Sequence, residues 1–220
     1  MKTRDKIILA SLDLFNERGE RNVTTNHIAA HLNISPGNLY YHFRSKTDII
    51  YEIFLQYELL VDHYLQLPEG RPLTVDDQLF YLESVFSGLW SYRFLHRDLE
   101  HYLDNDERLR ADYHAFTRRC LQAIRRILEG LRDAGILRDM ADNHLASMAL
   151  NVWLIVTSWM SFLKTSQVGD GQAITQGLLK QGVYQVLTLE EPYLTPAFVS
   201  EVMAVQQRYL PPSLGLMCLP

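Results

Sequence analysis

Apolar residues recur at every third or fourth position along nearly the whole chain, and no stretch alternates with a period of two. That is the pattern of helices buried on one face. In RDKIILASLDLFNERG, Ile8, Leu12 and Phe15 stand at i, i+4 and i+7, and Gly19 offers a natural helix end. In NVTTNHIAAHL, Ile28, Ala29 and Leu32 face inward behind a Thr24 or Thr25 cap. Neither threonine has Glu or Gln three residues on, so no capping box is expected. The break NIS precedes a short helix from about Pro36 to Phe43. Ser35 caps it, and Pro36 takes a first-turn position where its missing N–H costs nothing. Thr47 is the expected cap of the next helix, with Asp48 where the helix dipole favours an anion. Its stripe of Ile50, Ile53, Phe54, Tyr57, Leu60, Val61 and Tyr64 runs on to Gln66, a length of about 30 Å.

LPEGRPL (67–73) is the best linker. Helices are then predicted over Val75–Phe94, with Leu79, Leu82, Phe86 and Leu89 in step, and over His96–Leu103. DND (104–106) opens a long helix along Leu109, Tyr113, Phe116, Cys120, Ile124, Ile127 and Leu131, closed by Gly135. Asp142 caps a helix over 143–165, another spans 172–189, and Thr195-Pro196 opens a last one to Tyr209 before a tail, PPSLGLMCLP. The fold class is therefore all-α.

Leu145 to Leu163 carries no charge over 19 residues, near the length that spans a bilayer. Ser147, Asn151, Thr157, Ser158 and Ser161 dilute it, and no Lys/Arg cluster flanks it. A helix apolar all round needs cover on all sides. One side belongs to the chain's own core. A second subunit would hide the other, with Trp159, Gly177 and Gly182 at or beside that interface, and no membrane is expected.

Composition changes this picture little: 47% of the 220 residues are hydrophobic, enough for a well-filled core. The net charge of −5 argues against nucleic acid until its distribution is read. Residues 1–50 hold seven Lys/Arg and five Asp/Glu, a net +2, whereas the rest holds 14 against 21, a net −7. Polyanion contact, if any, is confined to the N-terminal fifth. Cys120 and Cys218 form no metal spacing and no disulfide framework, as expected of a reduced cytoplasmic protein without a signal peptide.

Two short helices joined by a tight turn make a helix-turn-helix, whose second helix enters the DNA major groove. Ala29 and Ala30 let the second helix pack close, and Leu32, Ile34, Leu39 and Phe43 form a small core. Gly37, Asn38, Tyr41 and His42 are left on the outer face. Gly37 admits the DNA backbone, and Asn38 offers a bidentate amide to a base edge, adenine being its usual partner. The Tyr hydroxyls, the imidazole and Lys46 suit phosphate oxygens.

The stretch from about residue 5 to 52, with LFNERG, TTNHIAAHLNISPGNLYYHFRSK and TDII in order, resembles the TetR family of bacterial transcriptional regulators. The resemblance implies a three-helix DNA-binding domain (1–46) and a larger helical bundle for ligand binding and dimerisation (47–220, linker near 67–74). It implies a homodimer built on the helices at 143–165 and 172–189, and repression relieved by a small molecule of unknown identity. It places Tyr40, Tyr41, His42 and Lys46 on phosphates of double-stranded DNA. Thr25, Asn26, Pro36, Gly37 and Asn38 lie nearest the bases, beside the capping Ser35. Asn33 stands in the turn where many members have Gly. Asn tolerates left-handed angles, so the turn survives.

Other readings are weaker. His27 and His31 have the i, i+4 spacing of a helical zinc pair, but Ile28 replaces the catalytic Glu and no third ligand stands out. The acidic residues Asp98, Glu100, Asp104, Asp106 and Glu107 fit solvated helix ends. No catalytic constellation distinguishes itself, so neither an enzyme nor a bound cofactor is expected. Pocket candidates are Trp90, Phe94, Tyr102, Tyr113, Phe116 and Trp153, with Trp159 and Phe162 also in reach. Asn151, His114 and Arg118 are possible polar anchors. Activation instead of repression, a helical enzyme, and a membrane-associated protein remain as alternatives.

Overall fold

A computed structural model of the chain describes residues 1–166 and 174–210. Among these the secondary structure is helical: α1 (Thr3–Arg18), α2 (Thr25–His31), α3 (Pro36–His42), α4 (Lys46–Tyr64), α5 (Val75–Ser91), α6 (Arg93–Arg97), α7 (Leu99–Asn105), α8 (Glu107–Asp133), α9 (Asp142–Thr165), α10 (Gln176–Glu190) and α11 (Val199–Gln206). The only β feature among the described residues is one isolated bridge, Leu137 to Leu194. The predicted start of the 172–189 helix, the C-terminal tail and Cys218 lie outside the described residues.

The chain forms two compact units, each assembled from two separate segments. The first takes Met1–Val61 and Ser91–Phe116. Ile7, Ile8, Leu14 and Phe15 of α1, Ile28 of α2, Leu39 of α3 and Ile49 and Ile53 of α4 are all nearly inaccessible and form its core. Phe94 extends that core, 5.1 Å from Phe15 and 6.0 Å from Tyr102 between ring centres. A second aromatic cluster gathers around Tyr57, which meets Tyr92, His96 and Phe116 at 5.2, 5.1 and 5.7 Å. His96 is half-buried, but its Nε2 is inaccessible and has no partner, and this desolvation pushes the imidazole down to about 4.

The second unit takes Asp62–Trp90 and the described residues from Thr117 onward. Its core holds Leu82, Phe86 and Leu89 of α5, Leu128 and Leu131 of α8, Leu145, Met148 and Val152 of α9, and Leu179, Val183 and Val186 of α10. Helix α10 approaches α9 and α5 closely at Gly182. A Cβ there would collide with Phe86 Cζ and lie 2.9 Å from Trp159 Cδ1. Linker residues 67–73 lack regular structure, yet Leu73 is buried.

Several helix boundaries differ from the sequence expectation. The predicted 75–94 helix breaks at Tyr92 because Asn16 of α1 substitutes for its backbone ladder. The Asn16 amide donates to the Ser91 carbonyl at 2.7 Å and accepts from the Phe94 N–H at 3.1 Å. The predicted 96–103 helix becomes the short α6 and α7. Helix α4 is capped by Ser45, not Thr47: Ser45 Oγ accepts from the Asp48 N–H at 3.1 Å and donates to its carboxylate at 3.0 Å. Asp142 is the first residue of α9, not its cap. Thr195 does not open α11 either. Its hydroxyl donates to the Gly135 carbonyl at 2.6 Å and its N–H to Ile136 at 2.9 Å, so it fastens the turn after α8.

Candidate nucleic-acid interface

Helices α2 and α3 are too short to persist alone and are set by their ends. Thr24 caps α2, its Oγ1 accepting from the His27 N–H at 3.2 Å. The Thr24 N–H donates to His27 Nδ1 at 3.3 Å, so a capping box exists after all, with an imidazole in the place of the expected Glu or Gln. This bond uses the His27 Nδ1 lone pair. Among the described residues no group of three His, Cys, Asp or Glu could hold a metal ion.

Between the helices Asn33 takes φ +52°, the left-handed geometry expected of it. Ser35 then caps α3, accepting from the Asn38 N–H at 3.2 Å, and Pro36 opens it. Leu39 and Phe43 point inward. Their burial turns the other face of α3 outward: Pro36, Gly37, Asn38, Tyr40 and Tyr41 are exposed, and His42 is half-buried. Tyr41 is 85% exposed, far more than an aromatic ring needs if packing were its role. Its ring meets His42 edge-on at 5.1 Å. Tyr40 is half exposed, and its hydroxyl shares a 2.9 Å hydrogen bond with Thr25 Oγ1, joining α3 to the first turn of α2. Asn26 is exposed beside it.

Lys46 is placed differently from the other candidates. Its ammonium is turned back onto Glu20 and Val23 within the head. Arg44, just beyond α3, is exposed, although no motif singles it out in the sequence beyond its charge.

The start of α4 is held inside the first unit as well. The Arg108 guanidinium bridges Asp48 at 3.1 Å and Asp106 at 3.0 Å and lies 4.8 Å over the Tyr51 ring. Tyr51 donates to Asp112 at 2.6 Å, and that carboxylate pushes the phenol up to about 12.

The pocket candidates fall in both units. Phe94, Tyr102, Tyr113, His114 and Phe116 belong to the first unit, and Trp90, Arg118, Asn151 and Trp153 to the second. Phe94 is core packing against Phe15. Tyr102 is buried with no partner for its hydroxyl, while His114 and Asn151 are exposed. Of the interface candidates, Trp159 is half-buried, Gly177 is exposed, and Gly182 is buried against Phe86 and Trp159 of its own chain.

Helix α9 is long and apolar enough to cross a membrane by length and composition, with 28% of that window buried. Ser147, Leu150, Asn151, Leu154, Ser158, Ser161 and Phe162 form an uncharged face along it, largely open to solvent.

Residues 7–53 match the family model described as bacterial regulatory proteins of the tetR family, and residues 56–202 match one described as bacterial transcriptional repressor. A TetR-family transcriptional regulator from Marinobacter aquaeolei VT8 is 62% identical, with a TM-score of 0.89 over 96% of this chain and 100% of that one. SmeT, the repressor of the Stenotrophomonas maltophilia multidrug efflux pump SmeDEF, shares the fold at 21% identity, covering 89% of this chain and 92% of its own, with a TM-score of 0.60. A putative transcriptional regulator from Saccharomonospora viridis, in complex with choline, shares it at 18% identity, 84% and 95% coverage and a TM-score of 0.65. An HTH-type transcriptional regulator of Staphylococcus aureus (strain USA300) is 32% identical over 69 residues, 31% of this chain. That match spans 37% of the curated relative's length.

Proposed function

Because this chain belongs to the TetR family of bacterial transcriptional regulators, we propose that it is a cytoplasmic, homodimeric repressor whose grip on a near-palindromic operator is loosened by a small molecule. Residues 1–46 serve as the DNA-binding head and 47–220 bind the effector and the second subunit. The meeting of the two family matches between residues 53 and 56 supports a division of roles near there. The fold is that of a regulator, and the reading requires no catalysis.

One observation carries the proposal: a capped, seven-residue α3 that hides Leu39 and leaves Gly37, Asn38 and Tyr41 exposed on its other face. Asn38 reads a base edge through its amide. Thr25, Asn26, Pro36 and Gly37 flank the bases, and Ser35 fixes the start of the helix. Tyr41, Tyr40 and His42 hold phosphates. The Thr25–Tyr40 hydrogen bond makes those two hydroxyls act together. A second subunit covers the uncharged face of α9. An effector in the helical bundle shifts the spacing of the two heads through α4, and can do so only by its differential affinity for the two spacings, typically about 1–3 kcal/mol. Trp90 and Trp153, half-buried aromatics of the second unit, are the residues offered for it.

Mobility-shift titrations test the head. Asn38→Ala should lose discrimination at one base pair by roughly 1–3 kcal/mol while keeping most affinity for the remaining site. Tyr41→Phe should weaken binding to all sequences alike. If Asn38→Ala weakened every sequence equally and Tyr41→Phe relaxed base preference, the assigned roles would be reversed.

A further inference from the structure

Lys46 has the place and charge of a phosphate contact, but its ammonium is already occupied. Nζ lies 2.5 Å from Glu20 Oε1, 3.1 Å from the Glu20 carbonyl and 3.0 Å from the Val23 carbonyl. An ammonium has three hydrogens to donate, and here each has an acceptor within the head. The carboxylate on the other side is buried, Glu20 being only 5% exposed. Its charge is removed from water and compensated by Lys46.

The ends of this tie explain what it does. Glu20 opens the one-turn 3-10 segment Glu20–Asn22. Val23 directly precedes Thr24, the cap of α2. Lys46 is the first residue of α4. Everything between, α2, the Asn33 turn and α3, is therefore a loop whose two ends Lys46 holds together. Were the ammonium to leave for a phosphate, a buried carboxylate and two carbonyls would lose their shared donor at once. The gain would be one exposed counterion-releasing contact, so the internal tie wins.

We propose that Lys46, paired with Glu20, is a positioning residue that fixes the helix-turn-helix for DNA and does not neutralise a phosphate. The proposal rests on the reading of the head as a DNA binder and departs from the phosphate role that the sequence resemblance implies.

Salt dependence separates the two roles. A lysine that neutralises a phosphate contributes about 0.9 to the slope of log K against log salt, and a clamp contributes nothing. The measurement is fluorescence anisotropy on the full chain with a duplex enriched from random DNA, across a salt series, beside thermal melts. Lys46→Met should bind about tenfold more weakly, as a loosened recognition site does, with its salt slope unchanged and its melting point lowered. Glu20→Gln adds a net positive charge, yet it should also weaken binding, because the clamp has lost its partner. The double variant Glu20→Gln/Lys46→Met, which buries no unpaired charge, should melt higher than Lys46→Met. It keeps the test decisive if that single variant does not fold, since its slope too should equal that of the unaltered chain.

A slope smaller by roughly two units in either Lys46 variant, about 0.9 for each of the dimer's two lysines, or tighter binding by Glu20→Gln, would overturn the clamp while leaving the DNA-binding reading intact. An unaltered chain that bound no duplex would instead remove the DNA-binding reading and the clamp with it.

Discussion

Replacing Leu154 by Glu is expected to leave a folded monomer whose affinity for its DNA site is lower by roughly 10²–10⁴-fold, the usual worth of linking two binding modules. Leu150, Leu154 and Phe162 are 46%, 50% and 45% exposed along α9. Single exposed leucines are ordinary, but these share one face with Ser147, Asn151, Ser158 and Ser161 and no charged residue. In the proposed dimer that face is covered, and a carboxylate there would have to be buried without a partner. Leu150→Glu should behave alike. Leu59→Glu, at a leucine 70% exposed on α4, should change neither assembly nor affinity. Sedimentation equilibrium with anisotropy on the same samples reads both quantities. A Leu154→Glu protein that stayed dimeric and bound DNA normally would exclude this face as the interface.

Glu190→Gln is expected to flatten the pH dependence of unfolding and to stabilise the chain near pH 8. Glu190 is 3% exposed in the second unit, and burial pushes its carboxyl up from 4.5 to about 8. Gln78 Nε2 donates to Glu190 Oε2, while Gln78 Oε1 is buried with no partner. A protonated Glu190 can supply the hydrogen that Oε1 lacks, giving an acid–amide pair joined by two hydrogen bonds. The raised value fixes the sign. Below pH 4.5 both folded and unfolded chains hold the proton, and the stabilisation is complete. As pH rises to about 8 the unfolded chain has lost the proton that the folded chain keeps, so stability falls by up to about 1.4 kcal/mol per pH unit. With an amide in place of the Glu190 carboxyl there is nothing to ionise beside Gln78, so this slope vanishes. His96 acts in the opposite sense at lower pH. Its lowered value makes stability complete above 6.5 and lost as pH falls towards 4. Denaturant unfolding between pH 6.5 and 8 therefore isolates Glu190. Parallel curves for the two proteins would mean that the carboxyl is already ionised when folded.

What the sequence made legible was set by near neighbours. Ser35, Pro36 and the spacing to Leu39 define α3 within a few residues, and Asn33 takes the left-handed geometry that its side chain tolerates. What it concealed depends on groups far along the chain or on a choice among equals. The break at Tyr92 is made by Asn16, some 75 residues earlier. Lys46 looks available to DNA until Glu20, 26 residues away, is brought onto it. Ser45 and Thr47 are both competent caps, and only the folded geometry selects Ser45. The His27 capping box escapes a search for Glu or Gln because an imidazole nitrogen accepts equally well. The aromatic pocket candidates share helical periodicity with ordinary core residues, which is what Phe94 proves to be.

Selection of bound duplexes from random DNA by the purified full chain, at modest ionic strength, tests the central claim most directly. The account predicts enrichment of a two-fold-related site, its half-sites about 34–36 Å apart, bound by a dimer. Failure to enrich any duplex, or enrichment of a single asymmetric element bound by a monomer, would contradict it.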